Sequence, residues 1–256
     1  MLNFKKYLGV FLASGLFFFG LYFWRNFTSR FWLILVISLV FLLEIGLFYL
    51  FNHERIDFSR KFYTMIITFL GLVFLLSVME DVLIARFLNV LGAVLMGLVF
   101  SLPKEEEMLI HERKPWRRLM NVLLTWNLFA LFTFVFALNV FLPSLPFWLI
   151  SFLGGLFAGG VSMVMWGFYF NLEKEKFFLW GLIIALALSE LMWVIHLLPL
   201  GYLVSGFLTV WPWYIWQLLV RFHLSPGGLE WKKQIPFLVF NIICFVLFLV
   251  FIVKWI

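Results

Sequence analysis

Nine stretches of nearly unbroken apolar residues divide this chain: Tyr7–Trp24, Phe31–Phe51, Phe62–Val78, Val82–Leu102, Leu119–Leu142, Phe147–Leu172, Phe177–Leu198, Gly201–Phe222 and Phe237–Val253. Each is about as long as a helix must be to cross a hydrocarbon layer of ~30 Å. Polar residues, Gly and Pro collect in the short gaps, as in Pro199-Leu200-Gly201 and in Ser225-Pro226-Gly227-Gly228, which reads as a turn. The pattern predicts an all-α, polytopic transmembrane helix bundle of nine spans, or eight if one of the weaker runs lies in the interface. The longest gap, Pro103–Arg118, is too short for a soluble domain, so residues 1–256 read as a single integral membrane domain.

Composition agrees. The chain is 65% hydrophobic and only 12% charged, with a mean hydropathy of +1.08. A soluble domain is nearer half apolar and about a quarter charged. The first run follows Lys5 and Lys6 as the core of a signal peptide would, but it is long and lacks a small-residue cleavage site after Trp24. It is expected to be a retained first span. The net charge of +6 is spread over short gaps, which suits an anionic lipid surface and not a nucleic acid. The single cysteine, Cys244, lies in an apolar run and leaves the redox compartment unread.

Charge also gives an orientation. With the N-terminus inside, one side receives Lys5, Lys6, Arg55, Arg60, Lys61, Lys104, Arg113, Lys114, Arg117, Arg118, Lys174, Lys176, Arg221, Lys232 and Lys233. The other receives Arg25, Arg30, Arg86 and Lys254. Short loops rich in Lys and Arg stay on the cytoplasmic side. The expectation is therefore a plasma (inner) membrane protein with its N-terminus in the cytoplasm and its C-terminus outside.

A faint repeat accompanies the spans. Phe31-Trp32-Leu33-Ile34 recurs as Phe147-Trp148-Leu149-Ile150, and Lys5-Lys6, Arg117-Arg118 and Lys232-Lys233 precede spans 1, 5 and 9. This pattern fits two parallel four-span repeats, residues 1–115 and 116–231, followed by a ninth helix over 232–256. Chance matching among Phe-, Leu- and Trp-rich segments is the competing explanation. In span 6, Gly155 and Gly159 allow close helix packing inside the bundle. Pro212 is expected to kink span 8. Many tryptophans fall at span ends, where interfacial anchoring accounts for them.

Candidate chemistry comes from the few polar residues within the spans. Glu190 lies 14 residues beyond Lys176, about 21 Å up a helix, and so in the outer half of the membrane. Glu44 lies 13 residues below Phe31, about 20 Å down and so in the inner half. A height difference of about 10 Å argues against a shared proton or metal. Arg86, five residues below Asp81 and about 8 Å in, shares the level of Glu190, and the two are expected to pair or share a cavity. The competing explanations are a plain inter-helix clamp and an arginine that reaches the surface along its own stem.

His196, Glu80 and Asp81 fall at the outer interface and could rim the same site. Glu44 reads either as a protonated, neutral carboxyl or as one that points at a polar partner such as Asn127, Asn139 or Gln217. Asn89, Asn121, Asn127, Asn139 and Asn241 are expected to make inter-helix hydrogen bonds. Ser189 and His196 lie about 10 Å apart along one helix, too far for a catalytic pair. No metal is expected, because no converging set of ligands is present, and no cofactor motif occurs. Asn26-Phe27-Thr28 matches a glycosylation acceptor but sits close to the membrane.

Three functions fit. The favoured one is a carrier or channel-like bundle for a small solute or proton, using Glu190, Arg86 and Glu44. The others are a non-catalytic scaffold or assembly subunit, and an intramembrane enzyme on lipid-linked substrates with Glu190 or His196 as base. Enzymatic activity is the less expected. Beyond the lipid bilayer and a solute or proton, the sequence implies no partner and gives no oligomeric state.

Overall fold

The computed structural model describes residues 2–24, 30–52, 58–101, 110–170, 174–225, 228 and 231–251. Among them are nine α-helices: α1 (Leu2–Trp24), α2 (Arg30–Asn52), α3 (Phe58–Val78), α4 (Val82–Ser101), α5 (Ile110–Phe141), α6 (Phe147–Gly167), α7 (Lys174–His196), α8 (Tyr202–His223) and α9 (Trp231–Phe251). Eight of these are long and apolar enough to cross a membrane, and α1 carries a shorter apolar stretch, Tyr7–Phe23. The protein is an all-α, multi-pass membrane protein. Each helix overlaps one of the nine apolar runs. The largest offset is in α5, which begins at Ile110 and continues through Pro115, although the basic stretch before Leu119 reads in sequence as a loop. The acceptor Asn26-Phe27-Thr28 and the run Lys104–Glu107 lie outside the described residues.

Two compact units divide the chain, Met1–Asn127 and Leu128–Ile256, and the boundary falls inside α5. In the first unit α1 packs most extensively against α4, then α2. The α1–α4 approach depends on small residues. A Cβ on Gly92 would strike the Phe17 ring, and one on Gly97 would strike the Ser14 hydroxyl. Rings fill the interior: Phe17 meets Phe69 edge-on at 5.8 Å between centroids, and Phe48 meets Phe100 edge-on at 5.3 Å. Edge-on pairs of this kind add to the area they bury.

In the second unit the most extensive contact joins α6 to α7. A Cβ on Gly155 would meet the Ala185 carbonyl and the Ser189 hydroxyl, and one on Gly159 would meet the Gly181 carbonyl. The Gly155–Gly159 pattern thus serves close packing inside this unit. Helix α8 runs through Pro212 as a single helix. After α8, the Gly228 N–H donates to the Ser225 carbonyl at 2.9 Å, and Gly228 has φ 64°, a left-handed conformation that glycine adopts freely. The turn read from the sequence is therefore formed at its described residues.

Candidate functional site

The charged candidates separate by environment. Among the described side chains of α2 the buried ones are Val40, Glu44 and Phe48, each four residues apart, so they form one ridge facing the core of the first unit. Glu44 is 0% exposed, and neither carboxylate oxygen has a hydrogen-bond partner. The expected polar partners are committed elsewhere or to no one. The Asn127 amide donates to Thr68 Oγ1 at 3.0 Å, Asn139 pairs with His196, and the Gln217 amide has no partner. Glu44 is thus an unpaired carboxyl in an aromatic core. Its ridge neighbour Phe48 packs on Phe62 and Phe100.

Asp81 caps a helix. Its Oδ1 accepts the N–H groups of Leu83 at 2.7 Å and Ile84 at 2.9 Å, satisfying two of the free donors at the start of α4. Glu80 precedes it in the exposed α3–α4 connection. Arg86 follows on α4 and is exposed. Arg86, Glu80 and Asp81 belong to the first unit, whereas Glu190 and His196 belong to the second.

Glu190 is exposed on α7. His196, the last residue of that helix, has its Nδ1 within 3.2 Å of Asn139 Nδ2, and its ring stacks on Phe147 at 4.0 Å. The Ser189 hydroxyl donates to the Ala185 carbonyl at 2.8 Å and lies 3.3 Å from the Ser151 carbonyl. Serine and histidine here hold helices together.

Four of the five asparagines, Asn89, Asn127, Asn139 and Asn241, make the inter-helix bonds expected of them. Asn89 donates to the Phe18 carbonyl of α1, and Asn127 reaches α3. Asn139 reaches α7, and Asn241 accepts the Trp211 indole N–H at 3.3 Å.

Sequence reasoning missed a polar seam in the second unit. Ser205, Thr209, Trp213 and Gln217 follow one another at four-residue steps on α8, and all are buried. Trp213 donates its indole N–H to Ser162 Oγ at 2.8 Å, and Trp166 donates its own to the Gln217 carbonyl at 3.1 Å. Both tryptophans are 0% exposed, unlike the interfacial Trp expected at span ends. The signal was the regular four-residue spacing, visible in Tyr202–His223 once α8 is treated as having a buried face. Outside this seam, an open apolar groove of ≈ 470 Å³ is lined by Trp211, Cys244, Leu247, Phe248 and Phe251. Its walls suit hydrocarbon and offer no polar group to a solute. Among the described residues no three His, Cys, Asp or Glu side chains converge as a metal site would require.

Comparison with protein-family models, curated proteins and solved structures returned no match. The site must be read from its own chemistry.

Proposed function

We propose that this multi-pass protein is a non-catalytic assembly subunit that associates laterally within the membrane through the outward face of α7. The observation that carries this reading is the position of Glu190, exposed among the exposed apolar residues Ile183, Leu186 and Val194. A charged side chain on a lone helix costs about 2.5–3.5 kcal/mol at the bilayer centre and less toward the helix ends, and Glu190 lies six residues from the end of α7. A protein partner that offers a donor to this face removes much of that cost. Among the described candidates, Ser189 and His196 are occupied in helix packing, which weighs against the enzyme reading.

The test is Glu190→Leu, purified in mild detergent and weighed by light scattering. The expected result is a fall in particle mass with thermal stability retained, because the wild-type carboxylate lies outside the core. An unchanged mass would refute the reading.

A second reading, carriage of a proton or small solute, is favoured by Glu44. An enclosed carboxyl with no protein partner is the kind of group that relays employ. For both readings the charge bias supports a plasma-membrane protein with a cytoplasmic N-terminus and an external C-terminus.

A further inference from the structure

Glu190 occupies the middle of its helix face. Leu179, Ile183, Leu186, Trp193 and Val194 share that face at helical spacing, and all are exposed. A second such face lies on α4, where Leu83, Phe87, Val90 and Val94 are exposed and the exposed Arg86 stands on the flank. The two charges are opposite in sign, and each lies within about two turns of a helix end. Glu190 is six residues from His196 at the end of α7, about 9 Å along the helix. Arg86 is five residues from the capping Asp81, about 8 Å. If α4, α5, α6 and α7, four successive span-length helices, each cross the bilayer, the start of α4 and the end of α7 open on the same side of it.

Side-chain reach decides which charge requires protein. Arginine can extend its guanidinium along its stem to the headgroups. Glutamate has two methylenes and cannot cover that distance, and hydrocarbon supplies no donor. We infer that the outward face of α7 docks on α4 of a second copy of this chain, pairing Glu190 of one copy with Arg86 of the other. This rests on the assembly reading above and names its partner. A carboxylate and a guanidinium that meet form short, charge-assisted, often two-pronged hydrogen bonds. Each copy offers one face of each kind, so the contact can propagate until a ring closes.

The experiment uses full-length chains carrying Cys244→Ser, expressed together in native membranes under two different tags. One chain carries Arg86→Cys and the other Glu190→Cys. Oxidative cross-linking is expected to yield a covalent species containing both tags, and the same pair placed on one chain should give intermolecular products. Mixed-tag product absent, or the double-cysteine chain closing only on itself without a gain in mass, would overturn the proposal. Charge exchange guards against misfolding. Arg86→Glu and Glu190→Arg should each reduce the particle to a single copy, and the two combined on one chain should restore the wild-type mass. Failure of the combined variant to restore it while both single variants remain folded would also overturn the proposal. If Glu190→Leu lowers particle mass but no mixed-tag product forms, the partner is a different membrane protein and only this inference falls. If Glu190→Leu leaves the mass unchanged, the assembly reading falls with it.

Discussion

Glu44 shares its ridge with Val40 and Phe48, so a carboxyl occupies a position that packing alone would give to an aliphatic or aromatic side chain. Removing a buried polar group that has no partner is nearly neutral or stabilising, by about 1–3 kcal/mol, because its desolvation cost disappears. Glu44→Leu is therefore expected to raise the melting temperature of the purified protein. If Glu44 carries protons, the same variant abolishes proton uptake by reconstituted vesicles, and a hydrophobic carbodiimide labels the wild type but not Glu44→Gln at this position. A lowered melting temperature would mean that the carboxyl binds the bundle together and would count against the relay. The sequence placed this residue within an apolar span but did not give the direction it faces. Its neighbours Leu42 and Leu43 are exposed while Val40 and Phe48 are buried, and all four are apolar. In a lipid-facing helix the inner and outer faces are chemically alike, so the usual amphipathic contrast is lost.

Helices were legible where their ends are marked by chemistry. Asp81, read in the sequence only as a rim residue at the outer interface, caps α4. Pro146 and Gly201 flank α6 and α8 where the apolar runs begin. The α5 start was missed because charged residues before Leu119 resemble a solvated loop even when they are helical. The Gly155–Gly159 motif was legible as packing, but its partner became clear only when α7 supplied Gly181, Ala185 and Ser189 at matching steps. Two glycines on α6 now separate seam from surface. Gly155→Ala places its methyl against the Ala185 carbonyl, whereas a Cβ on Gly160 meets nothing within 4 Å. Overpacking costs about 1–3 kcal/mol, while Gly→Ala in an open helix position gains about 1 kcal/mol. Thermal unfolding in detergent is expected to show Gly155→Ala lowered and Gly160→Ala unchanged or raised. Equal shifts for the two would show that the seam does not govern stability.

For the whole chain, composition and spacing were enough for fold class because lipid admits only helices and closed barrels, and apolar runs of about 20 residues have the length of a helix that satisfies its own backbone. Function was not legible in the same way. Glu190 and Glu44 are the same residue type in similar apolar settings, yet one faces outward from its unit and the other is sealed inside. Orientation can be tested directly. In a Cys244→Ser background, Thr28→Cys is expected to react with an impermeant thiol reagent on intact cells, and Glu106→Cys only after permeabilisation. The reverse pattern would invert the topology.

The α6–α7 seam also bears on how the protein is made. Its two helices are consecutive, and they meet through small side chains and backbone at Gly155 and Gly159 and through rings such as Phe147 on His196, so none of these contacts needs an element synthesised later. Local contacts form early because little chain must be ordered to reach them. The pair can close as a hairpin during translation, and the Ser189 hydroxyl would enter the bilayer already bonded to a carbonyl of its own helix.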